Sequence, residues 1–430
     1  MTRIFRGAAV AAVAALLAGA GCSNLTDVSS PDIVQPPQLE TPSGAEALTV
    51  GALSSLYSPF FTFTYNTGVF SDEFKFATAF TTFADLDFRS QSTTFTEYGP
   101  IGMHAVRTQA SQAIAVRQKL NLAPRSRIGQ LFNVKAYAEL FLGETSCNGT
   151  PLSDVVDLKP VFGGPIPSDS ILKRAIADFD SALVYAADSV TLTYPMKVGR
   201  GRALLDRGQF AQAAAAVTSV PTSFVYNAEA TTAVPNQADS IWRANSNKAI
   251  TVADREGGNG LPFVSASDPR VPTQAIGLGT DGQTQVYVFT KYTSAASPIA
   301  IASGIEARLI EAEAALQANP NDVSATGWLG ILNALRATAI TPALAPLSDP
   351  GTPAGRVDLL FRERALWLFA TGHRMGDLRR LIRQYGRSVA TTYPTGPYKA
   401  GVNYGSDVVF ILTLSEQSNP NVRRCTDTNP

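Results

Sequence analysis

The stretch that decides the fold runs from Leu359 to Gly386, LLFRERALWLFATGHRMGDLRRLIRQYG. Its charged side chains are interleaved with Trp367, Phe369 and one of only two histidines in the chain. Leu378, Leu381, Ile382 and Tyr385 fall at i, i+3, i+4 and i+7, the spacing of a helix that buries one face. Gly372 interrupts the pattern, so the stretch predicts two helical segments meeting near that residue. The remaining face is basic, and Glu363 and Asp377 are available as partners for its arginines. His373, at the break, suits a hydrogen-bonding cap better than a catalyst. The stretch reads as a structural clamp, and a ligand site is to be sought elsewhere.

The charge balance agrees with that reading. Lys and Arg number 35, as do Asp and Glu, and charged residues are 16% of the 430, against roughly 25% in an average soluble protein. With no net positive field, nothing draws nucleic acid to the chain, and it is excluded as a partner. The polar surface must come from Ser, Thr, Asn, Gln and Gly, which suits an extracytoplasmic protein in contact with uncharged, hydroxyl-rich ligands.

The first residues point the same way. Arg3 and Arg6 precede an apolar run from Ala8 to Leu17, and small residues lead into Cys22, the pattern of an export signal over residues 1–21. The run is shorter than the ~20 residues of a membrane span. Two processing readings compete: acylation of Cys22 as a lipoprotein, and ordinary cleavage after Ala18-Gly19-Ala20. Parity favours acylation, because the chain has only Cys22, Cys147 and Cys425, and lipidating Cys22 leaves an even pair in an oxidising compartment. Cys147 and Cys425 then form a disulfide or remain buried thiols. Residues 22–43 carry Pro31, Pro36, Pro37 and Pro42 with little periodicity and read as a tether from the lipidated N-terminus to a body over 44–430.

The body is expected to be mainly α. Helical periodicity covers Ala45–Tyr57, Met103–Leu120, Ile128–Thr145, Ser170–Ala187, Val198–Val217, Ile305–Ala318, Ala325–Ala337 and Val357–Tyr385, while Gln285–Tyr292 and Val408–Leu414 are the best strand patterns. GRALLDRGQFAQAA spaces Gly201, Leu204, Gly208, Phe210 and Ala213 as a tetratricopeptide unit does. Thirteen of the thirty-eight aromatic residues fall between Tyr57 and Tyr98. They either pack a β-rich or irregular layer over the helices or leave a few rings, such as Phe61 and Tyr65, exposed as a stacking platform.

At this point the chain resembles the SusD/RagB-like outer-membrane nutrient-binding lipoproteins. Their C-terminal helix carries E-R-x2-E-L-x2-E-G-x-R-x2-D-L-x-R, matched here by Glu363-Arg364, Leu368, Gly372, Arg374, Asp377-Leu378 and Arg380, with Trp367 and Thr371 where Glu is usual. Glu306, Leu309-Ile310 and Ala312-Glu313-Ala314, then Asn333 and Arg336, follow the family's order, as do Ser71-Asp72-Glu73, Asp268-Pro269-Arg270, Glu416 and Asn419-Pro420-Asn421. The resemblance implies a tetratricopeptide-like helical repeat scaffold with an overlying loop-rich region and a few short strands. It also implies a lipid-anchored protein of the outer membrane, facing the cell exterior, that captures oligosaccharides or other nutrients for a SusC-like TonB-dependent transporter.

Enzymatic motifs are lacking. His104 and His373 are far apart, no C-x2-C pair offers a metal site, and there is no G-x-S-x-G elbow. The Gly257-Gly258-x-Gly260 run lacks the Lys-Ser/Thr that a phosphate loop needs and reads as a flexible turn. Asp72-Glu73, Asp85 and Asp87 are nominal glycosidase carboxylates, but carboxylates are common. The chain is expected to be a binder without catalysis, metal or cofactor. Trp242, flanked by Arg243, Asn245 and Asn247, joins Phe61 and Tyr65 as a candidate stacking ring, with a core role as its alternative. Two other readings stand beside the nutrient binder: a periplasmic tetratricopeptide scaffold that binds proteins, which should show several repeats near 34 residues, and a secreted glycan-active enzyme.

Overall fold

The computed structural model describes residues 39–430 apart from 80–83, 93–98, 157–158, 235–236, 400, 413 and 415. The signal segment 1–21, Cys22 and the tether up to residue 38 lie outside the described residues. Helix α1 (Pro42–Ser54) starts where Thr41 Oγ1 accepts from the Gly44 amide at 3.1 Å and Pro42 fills the first turn, whose amide would be unpaired in any case.

The aromatic run then departs from expectation. Its first part is not β-rich or irregular but helix α2 (Tyr57–Phe70), and among its described residues only β1 (Phe74–Phe76) is a strand. Threonines make this helix tolerable in the interior: Thr64 and Thr67 donate to the carbonyls of Phe61 and Phe63 at 3.0 and 2.8 Å, so their hydroxyls are buried without loss of a partner. The rings fill the core. Phe63 stacks on Phe141 with centroids 4.6 Å apart, and Phe60 lies 5.3 Å from the same ring. Burying each such ring contributes about 1.5–3 kcal/mol.

After the short α3 (Ala84–Asp87) come α4 (Ile101–Lys119), α5 (Ser126–Thr145), α6 (Ser168–Tyr185), α7 (Val190–Asp206) and α8 (Phe210–Val217), each from α5 onward packed on the one before. The pattern from Val198 to Val217 is thus two helices rather than one. Their close approach needs Gly201, since a Cβ there would sit 2.6 Å from Val217 Cγ1. A short α9 (Ser240–Ser246) follows, then α10 (Gly304–Ala318), which packs on α8, and α11 (Trp328–Thr338). The C-terminal pair is α12 (Pro353–Trp367) and α13 (Arg374–Tyr385), followed by a single turn, α14 (Val389–Thr392). Among the described residues, no helix is long and apolar enough to cross a membrane.

Strands β2 (Thr150–Pro151), β3 (Asp154–Val156), β4 (Lys159–Val161), β5 (Pro165–Ile166), β6 (Val225–Ala228), β7 (Ile250–Val252), β8 (Thr273–Leu278), β9 (Gln285–Phe289) and β10 (Ile299–Ser303) pair only in twos. All pairs are antiparallel: β1 with β7 in the register Phe74 to Val252, β6 with β10, β2 with β5, β3 with β4 and β8 with β9. The Gln285 pattern is realised as β9. The Val408 pattern is not a strand: Phe410 makes one bridge to Ser146, because what faces it is the end of α5, where the Thr145 carbonyl accepts the Phe410 amide at 2.8 Å. Beside that bridge Cys147 and Cys425 are joined by a disulfide, tying the C-terminal tail to the end of α5.

Candidate ligand site

Five residues of the opening stretch form a buried lattice of ion pairs. Arg364 grips Asp377 with two hydrogen bonds of 2.9 Å, and Arg380 adds a third at 2.7 Å before reaching on to Glu313. Glu363 holds Arg270 at 2.6 Å and Arg336 at 2.8 Å, while Arg374 takes Asp72 at 2.6 and 2.8 Å. Burial pushes the Asp377 carboxyl up, but Arg364 and Arg380 outweigh it and hold the group well below the usual carboxylate range. Where the resembled pattern has Glu, this chain substitutes other contacts. The Trp367 ring lies 5.0 Å beneath the Arg270 guanidinium, and the Thr371 hydroxyl donates to the Leu368 carbonyl at 2.5 Å.

Gly372 completes the bend at φ +74°, preceded by Ala370 at +60°. Arg202 binds Glu144 with two bonds of 2.5 and 2.6 Å, donates to the Gly372 carbonyl at 3.0 Å and meets His373 Nε2 at 2.8 Å. Burial, with Arg202 beside it, keeps the imidazole below its ordinary pKa. The Ala370 amide donates to Glu73 at 3.0 Å, and burial pushes the Glu73 carboxyl up to about 8. Every charged member but the partly exposed Arg336 is buried, so the lattice fixes α12 and α13 against α2, α5, α7 and α10 and reads as structural.

The three candidate rings fare differently. Phe61 is completely buried on the inner face of α2 and cannot stack on anything from outside, which corrects the expectation that it is exposed. Tyr65, one turn on, is half-buried with its ring 6.2 Å from Phe76. Trp242 sits in α9, capped by Asp239 Oδ1, half-buried against the main core; α9 packs on α2. Its neighbour Asn245 is buried, so of the polar residues beside it Arg243 and Asn247 are the exposed ones.

A different aromatic cluster is assembled from the loops. Tyr398 and Tyr404 meet edge to face with centroids 5.3 Å apart, and Phe88 lies 5.7 Å from Tyr398. All three rings are partly buried, as Tyr65 and Trp242 are, and keep some surface open. Lys75, on β1, places its ammonium 5.0 Å over the Tyr398 ring and pairs with Glu256 at 2.5 Å. The Tyr404 hydroxyl donates to the same Glu256 carboxylate. The Tyr398 hydroxyl donates to Asp87 at 2.5 Å, and the Phe76 amide donates to Asp87 at 2.7 Å. Burial pushes Asp87 up to about 7. Lys399 bonds the Phe76 carbonyl and pairs with Asp281 at 3.1 Å. The result is a set of ring edges and faces bordered by two ammonium groups and carboxylates, suited to the C–H faces and hydroxyls of a sugar. Sequence reasoning missed this cluster, whose local trace is the placing of Tyr398 and Tyr404 in the Gly/Pro-rich TYPTGPYKAGVNYGSD (392–407).

No family model and no curated protein matches the sequence. Solved structures do. A SusD homolog from Bacteroides thetaiotaomicron superposes with a TM-score of 0.65 at 12% identity, over 89% of this chain and 96% of that one. A SusD-like carbohydrate binding protein from Bacteroides vulgatus gives 0.62 at 12% over 88% and 97%. Surface glycan-binding protein A from Bacteroides uniformis gives 0.61 at 12% over 90% and 99%. The helices stacked in chain order, the paired short strands over them and this near end-to-end superposition give the chain the SusD-like fold.

Proposed function

We propose that this chain is a cell-surface lipoprotein that binds oligosaccharides and passes them to a SusC-like TonB-dependent transporter in the outer membrane. The observation that carries the binding is the partly exposed cluster of Phe88, Tyr398 and Tyr404 beside Lys75, Glu256 and Lys399. Proteins of the same fold bear names that specify carbohydrate or glycan binding, and none of those quoted names an enzyme. Within the cluster Asp87 and Glu256 are spoken for by tyrosine hydroxyls, a backbone amide and Lys75, an arrangement that positions rings rather than a nucleophile and a proton donor. The anchor rests on the leader and Cys22, and the tether on residues 23–43.

The partner is tested by isolating the protein from native outer membranes: a large barrel protein copurifies, and recovery without one contradicts the hand-off. For the anchor, Cys22→Ala releases the protein from membranes; unchanged fractionation refutes lipidation. One observation favours the protein-interaction scaffold as a second reading. A cavity of about 740 Å³ opens between α8, α10 and α11, floored by Phe210, Ala214, Ala315, Ala318 and Ile331. Capture of a protein partner lost on Phe210→Asp, with no glycan bound, establishes that reading instead.

A further inference from the structure

A cavity of about 340 Å³ lies in the groove between α12 and α13, closed by the loop 259–261 and by α14. Helical spacing assembles its walls. Asp358 and Arg362 stand four apart on one face of α12, and Arg374, Leu378 and Leu381 follow at i, i+4 and i+7 on α13. Arg387, just past the end of α13, also lines it. The cavity shares no residue with the tyrosine cluster.

The three guanidinium groups are not equally engaged. Arg374 is gripped by both oxygens of Asp72, so its charge is met. Arg387 Nη2 donates to Asp358 at 2.7 Å and to the Ala354 carbonyl at 3.0 Å, which leaves Nε and Nη1 open on a side chain that is 29% exposed. Arg362 is exposed and has no partner among the described residues. Asp358 precedes it by one turn, the spacing at which the two could pair, yet the Asp358 bond crosses to Arg387. Three guanidinium groups therefore face two carboxylates, Asp358 and Asp72. The groove keeps one positive charge uncompensated in a chain whose net charge is zero.

We infer that this groove is a second binding site, for a sugar that carries one oxyanion, a carboxylate or a sulfate ester, gripped by Arg362 and the open edge of Arg387. Guanidinium forks match such oxyanions, and an anion shared by the two groups offsets their mutual repulsion. Asn259 donates its amide N–H groups to the Ala390 and Tyr393 carbonyls at 2.9 and 2.7 Å, which leaves its Oδ1 to accept from a sugar hydroxyl. Leu261 and Leu381, both partly exposed, offer apolar surface to the C–H face of a ring. The volume falls at the lower end of the roughly 300–1,000 Å³ of small-molecule sites, more than a bare inorganic anion fills.

Calorimetric titration of the full chain with D-glucuronate, D-glucose-6-sulfate and neutral D-glucose tests the site. At least one acidic sugar binds saturably and more tightly than D-glucose, and added salt weakens it, as expected of exposed charges. Comparing the two acidic sugars tells which oxyanion the arginines prefer. Arg362→Gln, which removes no contact within the fold, weakens the binding about tenfold or more, the loss of a hydrogen bond to a charged group. Arg387→Gln weakens it as well. The Tyr398→Ala/Tyr404→Ala variant retains it, so failure of this inference is separate from failure of the tyrosine cluster. Binding of neither acidic sugar, equal affinity for D-glucose, undiminished affinity in Arg362→Gln, or loss of the binding in the tyrosine variant overturns the proposal.

Discussion

Arg364 and Asp377 face each other across the bend between α12 and α13, Nε to Oδ2 and Nη2 to Oδ1, both 2.9 Å and both buried. The pair closes the bend as a strap would, and Arg380 reinforces it from one turn further along α13. Removing one partner of a buried pair leaves the other charge uncompensated, so Asp377→Asn destabilises the fold by about 3–5 kcal/mol. Urea denaturation measures it. The wild-type carboxyl is held below its unfolded value of about 3.9, so its contribution is complete above that pH and is lost as the pH falls further. The Asn variant lacks that acid-side loss.

Glycine position effects should split by environment. Gly372 has φ +74°, and a Cβ there would lie 2.8 Å from Phe63 Cε1, so Gly372→Ala costs about 1–3 kcal/mol. Gly51, inside α1, has nothing within 4 Å of a built Cβ, so Gly51→Ala raises stability by up to about 1 kcal/mol. Thermal unfolding of the two variants, compared with the parent, checks both signs.

Much of this clamp is legible in the sequence. The i, i+3, i+4, i+7 spacing of α13, the interruption at Gly372 and the availability of Glu363 and Asp377 are local facts, and local facts survive folding. The aromatic run was harder, because Tyr57–Phe70 alternates rings with threonines and so mimics a strand; only the back-bonding of Thr64 and Thr67 shows why a helix tolerates it. The tyrosine cluster was beyond reach for a different reason. Lys75 meets Glu256 at a sequence separation of 181, and Tyr398 meets Asp87 at 311, so no window of the chain contains the site. Phe61 and Tyr65 illustrate the same limit, since four positions along one helix separate a fully buried ring from a half-buried one.

Stability should fall on the alkaline side. Burial raises Glu73 to about 8, against about 4.3 in an unfolded chain. Between those values the folded state holds a proton that the unfolded state has released, so stability declines as pH rises through that window. Glu73→Gln keeps the acceptor for the Ala370 amide and cannot ionise. Its melting temperature therefore exceeds that of the parent at pH 8 and flattens the decline from pH 5 to 8.

The disulfide holds the tail. Cys425→Ser removes a crosslink to Cys147 spanning 278 residues and costs about 2–4 kcal/mol. Limited proteolysis under oxidising conditions then cuts the C-terminal segment in the variant before the helices, while the parent resists.

Probing a glycan array with the mature protein and with a Tyr398→Ala/Tyr404→Ala double variant tests the central claim most directly. The parent retains a defined set of oligosaccharides, and the double variant, equally stable by thermal melt, loses them. Retention of no glycan by the parent, or an unchanged pattern in the double variant, contradicts the assignment of the tyrosine cluster as the oligosaccharide site.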